Sequence, residues 1–76
     1  MPKLRKISGN ETIKILCNKF NFEIAGRKGS HVRLSKKIEE GKIGTVIPVH
    51  SELKIGTLKN ILKLANITEE EFSEYL

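Results

Sequence analysis

The residues that decide the fold are 22–35, which read FEIAGRKGSHVRLS. Large apolar side chains occupy alternate positions in 22–25 and again in 31–35, on either side of the basic segment 26–29. A period of two residues is typical of β-strands that bury one face. Since glycine readily takes the positive φ of a tight turn, we interpret 26–29, Gly-Arg-Lys-Gly, as the turn of a β-hairpin.

Before this hairpin the apolar spacing is that of a helix. Ser8 and Glu11 have the spacing of a capping box, in which each side chain caps the backbone N–H of the other residue. The pattern predicts a helix over 9–20, followed by Asn21 as a left-handed cap. Its apolar stripe comprises Ile13, Leu16, Cys17 and Phe20.

After the hairpin, a polar turn is expected over 36–42 and a third, β-branched strand over 43–49. Pro48 has no N–H for a strand ladder, so it should lie at the end of this strand or at the edge of the sheet. A second helix should begin near Gly56 or Thr57 and end at Asn66. Its stripe comprises Leu58, Ile61, Leu62 and Ala65. Thr68 and Glu71 form a second capping box, which predicts a short last helix.

These elements predict an α+β fold in one domain over 1–76, with the order α-β-β-β-α and a short C-terminal helix. A three-stranded antiparallel sheet with the helices on one face satisfies the patterns in two layers. Val32 and Leu34 should then point to the helices, and His31 and Arg33 to the open face.

The composition favours a polyanionic partner. The 76 residues include 14 Lys and Arg and 9 Asp and Glu, which gives a formal net charge of +5, and basic side chains that neutralise phosphates release bound counterions. The acidic residues Glu69, Glu70, Glu71 and Glu74 are concentrated at the end, so the preceding part is more basic than the total. A single cysteine, no apolar run after the basic segment 1–6 and no membrane-length apolar run predict a cytoplasmic protein outside the membrane.

His31 is the candidate for acid–base chemistry. An imidazole can accept or donate a proton near neutral pH, and nearby cations can stabilise the charge on a phosphate. His31 follows the basic turn and shares a strand face with Arg33. RNA needs only this combination, because its own 2′-hydroxyl can attack the adjacent phosphate once a base takes the proton. His50 could be a second acid or base only if the fold brings it near His31.

Other kinds of site find little support in the sequence. No paired-carboxylate spacing stands out, and Ser30 beside His31 does not form a triad because adjacent strand residues face opposite ways. Two separate histidines and Cys17, which lies on the buried stripe of the first helix, do not make a metal site. We therefore expect neither a metal nor a small-molecule cofactor.

The chain also resembles a known family over nearly its whole length. The segments that carry the resemblance are RKGSHV at 27–32, VIPVH at 46–50, LKIGTLKNILK at 53–63 and ITEEEF at 67–72. Together they resemble the HicA toxins of HicAB toxin–antitoxin modules. The Gly-Ser-His element combined with Pro-Val-His is the most specific part of the match.

The resemblance implies a double-stranded-RNA-binding-domain-like fold, cleavage of mRNA by a single histidine that matches His31, and neutralisation by a HicB-like antitoxin. The first hypothesis is therefore a metal-independent endoribonuclease, with Arg27, Lys28, Gly29, Ser30 and Arg33 as RNA-binding residues. One alternative is a non-catalytic module that binds double-stranded RNA. Another is a module whose basic face only docks an acidic protein.

Overall fold

The fold is seen in a computed structural model that describes residues 4–76; the predicted start of the domain and of the basic N-terminal segment at residue 1 lies outside them. The helices are α1 (Gly9–Lys19), α2 (Ile55–Leu64) and α3 (Glu69–Ser73), and the strands are β1 (Glu23–Lys28), β2 (His31–Ile38) and β3 (Gly41–Pro48). The three strands form one antiparallel sheet in the order β1-β2-β3. This confirms the predicted α+β class, the element order and the short C-terminal helix.

Helix α1 begins and ends close to the predicted positions. The Ser8 side chain accepts a hydrogen bond from the backbone N–H of Glu11, at 3.0 Å. Between these two described residues only this half of the predicted capping box forms. Asn21 has φ +61°, which confirms its left-handed conformation, although the helix itself ends at Lys19.

The two hairpin turns are shorter than the sequence indicated. Residues 26–28 continue β1 and the turn is Gly29–Ser30, because Lys28 pairs with His31. The polar stretch 36–42 is likewise mostly strand, since Ile38 pairs with Gly41 across a two-residue turn. Both predicted turns were wrong in extent, because two-residue loops match the twist of antiparallel strands and let the ladder continue close to the turn.

A bulge in β1 changes its register against β2. Ile24 pairs with Leu34 and Gly26 with Arg33, so Ala25 is an extra residue on β1. A bulge of this kind bends its strand and shifts the following side chains by one position. Ile24 precedes the bulge and pairs with the buried Leu34, but its own side chain is 62% exposed.

The core lies between the sheet and the helices, on one face of the sheet. Its buried hydrophobic residues are Ile7, Leu16, Phe22, Val32, Leu34, Ile47, Leu53, Leu58, Ile61, Leu62, Ala65 and Phe72. Thr45 is also buried, and its hydroxyl donates to the backbone carbonyl of Ile61 at 3.0 Å, which ties β3 to α2. The two inward residues of β2, Val32 and Leu34, therefore face the helices as predicted.

Helices α2 and α3 begin in different ways. Helix α2 begins at Ile55 after Lys54, which makes no side-chain capping bond. Helix α3 has the complete box: the Thr68 hydroxyl accepts from the N–H of Glu71, and the Glu71 carboxylate accepts from the N–H of Thr68. The second predicted capping box is thus confirmed, and it directs Phe72 into the core.

Main-chain hydrogen bonds fix the end of β3 beside the start of β2. The N–H of Val49 donates to the carbonyl of Ser30 at 2.6 Å, and the N–H of Gly9 donates to the carbonyl of His50 at 2.9 Å. Gly9 lies so close to the backbone of Pro48 that a side chain there would collide with it. Backbone hydrogen bonds therefore fix the end of β3 next to Ser30, the residue that precedes His31.

Candidate functional site on the uncovered sheet face

The face of the sheet opposite the core carries His31 and Arg33. Both side chains are exposed, whereas their neighbours Val32 and Leu34 are buried. Successive side chains of a strand point to opposite faces, so this pattern places His31 and Arg33 on the face away from the helices. The placement predicted from the alternation is confirmed for these strand residues.

His31 lies in the first position of β2, between one residue on each neighbouring strand. Lys28 of β1 and Pro48 of β3 are its partners across the ladder. Residues directly opposite each other in antiparallel strands have Cβ atoms about 5 Å apart and share a face. The imidazole is therefore exposed to solvent with one ammonium group within reach and a half-buried proline ring on its other side.

Arg33 crosses the sheet toward β1. Its partner in the ladder is Gly26, and a Cβ on Gly26 would lie 3.4 Å from Nη2 and 3.7 Å from Nε of Arg33. A Cβ at position 26 would thus be in ordinary van der Waals contact with the guanidinium. Arg33 lies two positions after His31, a distance of about 7 Å along β2.

The Gly29–Ser30 turn precedes His31 directly. Gly29 has φ +59° while Ser30 is not in the positive-φ region, which is the sign pattern of a type II′ turn. Both residues are exposed, so their backbone is accessible to a ligand. Arg27 pairs with Val32 and so lies on the opposite face, where its Nε donates to the carbonyl of Gly29 at 3.2 Å. The structure does not bring Arg27 to the face that carries His31.

Lysines continue the positive charge along the same face. Lys37 of β2 and Lys42 of β3 are opposite each other in the ladder, and both are exposed. Like charges directly opposite on a sheet are destabilising, so an anion between them would be favourable. Lys36 points to the other face, where its Nζ lies 5.8 Å from the centroid of the Phe22 ring.

Two further side chains could take part in a reaction, those of His50 and Cys17. His50 follows the end of β3, and its backbone carbonyl is bound to the first residue of α1. Burial raises the pKa of the Cys17 thiol, so the thiolate is disfavoured and Cys17 is a poor nucleophile. Nowhere in residues 4–76 do three or more His, Cys, Asp or Glu side chains come together as a potential metal site.

Comparison with protein families adds a finding that geometry alone does not supply. The family described as the HicA toxin of bacterial toxin–antitoxin systems matches residues 9–67, which run from the start of α1 to just before α3. The chain belongs to the HicA toxin family. The resemblance that the sequence motifs indicated is thereby confirmed. No curated protein and no solved structure matches the chain.

As a HicA toxin, the chain is the toxin component of a toxin–antitoxin system, a kind of system in which a cognate antitoxin is the partner. The matched region contains the whole sheet and therefore His31, Arg33 and the lysines of the uncovered face. Helix α3 lies outside it. Among the helices of residues 4–76, none is long and apolar enough to cross a membrane.

The HicA sheet also brings together residues that the sequence patterns did not single out. A depression of about 350 Å³ lies next to Arg33, and its lining includes Ala25, Lys42, Gly44, Val46 and Leu64. Gly44 was the available signal, because a glycine inside a strand pattern often marks a close approach. A Cβ on Gly44 would lie 3.3 Å from the carbonyl oxygen of Leu34.

Proposed function

We propose that this toxin is an endoribonuclease that cleaves mRNA without a metal ion, with His31 as its catalytic residue. The observation that carries the proposal is the position of His31 on the uncovered face, exposed and directly opposite Lys28. The chain belongs to a family of toxins, which supports an activity that damages the cell. The basic face, within a chain of formal charge +5, supports a polyanionic substrate.

In the proposed reaction the His31 imidazole takes the proton of an RNA 2′-hydroxyl. The 2′-oxygen then forms a bond to the adjacent phosphorus, and the bond from phosphorus to the 5′-oxygen of the next nucleotide breaks. The leaving 5′-oxygen receives a proton, from the Lys28 ammonium or from water. The products are a 2′,3′-cyclic phosphate and a 5′-hydroxyl, and every atom and electron pair comes from RNA, from these side chains or from water.

Lys28, Arg33 and the turn before His31 would bind the substrate. Lys28 is the cation nearest to His31 in the ladder, so it would neutralise the phosphate that is attacked. The exposed Gly29–Ser30 backbone allows a phosphate to approach closely. Arg27 was proposed from the sequence as a further RNA contact; from its position on the other face it would contact RNA only beyond the sheet edge.

The test compares variants of the two histidines. Purified wild-type protein, His31→Ala and His50→Ala are each incubated with an mRNA in the presence of EDTA. We expect cleavage by the wild type and by His50→Ala, and a rate about 10²- to 10⁴-fold lower for His31→Ala, the range typical of a lost general acid or base. The 3′ ends of the products should carry a cyclic phosphate or its hydrolysis product.

Three outcomes would count against the proposal. Cleavage by His31→Ala at the wild-type rate would remove His31 from the mechanism. Complete inhibition by EDTA would replace it with metal-assisted hydrolysis. RNA binding without cleavage at any protein concentration would favour the non-catalytic RNA-binding module instead. Induction of wild type and His31→Ala in cells, with growth and transcript integrity as readouts, gives the same comparison in vivo.

For the partner, we propose an antitoxin of the HicB type. Such a protein would have to cover His31 to prevent cleavage. Addition of the antitoxin in a 1:1 ratio should then stop RNA cleavage, and His31 should lose its exposure to solvent in the complex. An inhibitory complex in which RNA still reaches His31 would contradict this arrangement.

A further inference from the structure

A depression lies next to Arg33, and most of the strand residues that line it belong to the uncovered face. Its lining comes from all three strands and from the last residue of α2, and its volume is about 350 Å³. Arg33 and Val46 pair across β2 and β3 on one side of it, and Ser35 and Gly44 pair on the other. Volumes of this size lie at the lower end of the range of small-ligand sites.

The depression exists because side chains are missing from its floor. Gly44 is exposed and has no side chain, and its partner Ser35 is small and half-buried. Val46 and Leu64 stand beside the depression with 40% and 51% of their surface exposed. Most of the lining is apolar, and it also includes the cations Arg33 and Lys42.

This combination matches a nucleoside joined to phosphate. The flat faces of a base are apolar and can pack against aliphatic side chains or an arginine plane, as single-stranded RNA bases do on proteins. The adjoining phosphates carry charge that Arg33 and Lys42 can neutralise. A purely apolar partner would gain nothing from the two cations, and a free phosphate would gain nothing from Val46 and Leu64.

The distance between the depression and His31 determines which nucleotide of a bound RNA could reach the depression. Pro48 and Val46 are two residues apart on β3, as are His31 and Arg33 on β2, so the depression begins about 7 Å from the imidazole. We infer that it is a base-binding subsite for the nucleotide next to the cleaved phosphate, lined by Val46, Leu64 and Arg33. The inference rests on the proposed function, because it takes RNA as the substrate.

Binding of single nucleotides tests the subsite without cleavage. The probes are the four ribonucleoside 3′-monophosphates, with inorganic phosphate and ribose 5-phosphate as controls, and the readout is the NMR signal of the methyl groups. We expect ring-current shifts at Val46 and Leu64 with the nucleotides, weaker or absent with both controls. The buried Val32 methyls provide an internal reference, since they lie on the other face. Equal shifts with inorganic phosphate would overturn the inference.

Binding of longer RNA molecules measures how much one base contributes to the affinity. Hexanucleotides with 2′-fluoro sugars cannot be cleaved through a 2′-hydroxyl, and an abasic residue can be placed at each position in turn. We expect one position at which the loss of the base lowers the affinity of the wild type about tenfold, within the range for a single stacked base. For the double variant Val46→Ser/Leu64→Ser, the same abasic residue should have no further effect.

The control is Ile38→Ser, an exposed apolar residue at the other end of β2 that does not line the depression. It should keep the full abasic effect, and urea unfolding checks that all variants are folded. An abasic effect that is absent at every position, or unchanged in the double variant, would overturn the inference. So would a double variant that binds RNA normally but no longer binds the antitoxin, because the depression would then belong to the protein partner.

The outcomes remain separate from those of the proposed function. The binding measurements use single nucleotides or 2′-fluoro RNA, neither of which can be cleaved by the proposed reaction, so they are valid whether or not His31 is catalytic. A base in the depression together with an unaltered His31→Ala cleavage rate would remove the mechanism and keep the subsite. No base in the depression together with slow cleavage by His31→Ala would keep the mechanism and remove the subsite.

Discussion

The two faces of β2 carry residues of opposite character at alternate positions. Val32 and Leu34 are buried against the helices, while His31 and Arg33 are exposed on the other side. The covered face derives its stability from apolar contact, whose loss leaves a cavity. The uncovered face holds groups whose removal leaves the core unchanged. Neighbouring residues of one strand should therefore differ in whether they affect folding or function.

The largest effect on stability is expected for Leu34→Ala. Leu34 is almost fully buried, so the substitution should lower the free energy of unfolding by about 2–5 kcal/mol, as measured by urea denaturation. Its neighbour Arg33→Ala should change stability by no more than about 0.5 kcal/mol while weakening RNA binding. Comparable destabilisation by both variants would show that the uncovered face contributes to folding after all.

The next effect concerns the contact that holds the end of β3. In Gly9→Ala the new Cβ would collide with the carbonyl of Pro48, so α1 or β3 has to move. We expect a loss of about 1–3 kcal/mol, as for other overpacked sites, together with a shift in the amide signals of Val49 and His31. Gly56→Ala is the matched control: its Cβ would meet nothing within 4 Å, and alanine in a helix should raise stability by about 0.5–1 kcal/mol.

Thr45→Val tests the polar contact on the covered face. Thr45 donates to the Ile61 carbonyl, which also accepts from the N–H of Ala65 within the helix. The substitution removes one hydrogen bond but leaves that carbonyl paired, so we expect a loss of about 1 kcal/mol. Thr57→Val, on the exposed side of α2, should have a smaller effect. Equal unfolding midpoints for Thr45→Val and the wild type would mean that packing alone joins β3 to α2.

The smallest effect depends on pH and concerns the capping box of α3. The hydrogen bond from the Thr68 N–H, followed by that from its hydroxyl and by the charge of Lys36, holds the pKa of Glu71 below its ordinary value of 4.5. A lowered folded-state pKa stabilises the fold above the unfolded value, and this contribution is lost as the pH falls through the folded value. Wild type should therefore lose more stability than Glu71→Gln below about pH 4.5. Parallel curves would contradict a role for the charge, and Glu70→Gln serves as the control.

The sequence sufficed for the elements and for the two faces of β2. Alternation identified Val32 and Leu34 as buried, and helical spacing identified Leu16, Leu58 and Ile61, because both periodicities depend only on local geometry. Asn21 and the Thr68–Glu71 box were also predictable, since their conformations are set within a few residues. His31 could be placed on the open face by the same reasoning.

The register of the strands and the contacts between distant segments could not be predicted in this way. Two glycines, Gly26 and Gly29, are compatible with a turn, and only the ladder shows that Gly29 occupies it while Gly26 lies beneath Arg33. Because the turn lies at Gly29, Arg27 is part of β1 and lies on the same face as Val32, opposite to His31. The depression was likewise hidden, because Val46 and Leu64 are 18 positions apart in the numbering and meet only when α2 packs on β3.

The extra residue in β1 has a consequence for self-association. Strands β1 and β3 are the two edges of the sheet, and an edge strand offers free N–H and C=O groups to which another chain can add. The bulge at Ala25 interrupts the even spacing that an added strand requires on one side, and Pro48 lacks a donor at the end of the other. Deleting Ala25 would straighten β1 and give the toxin a regular edge prone to strand addition.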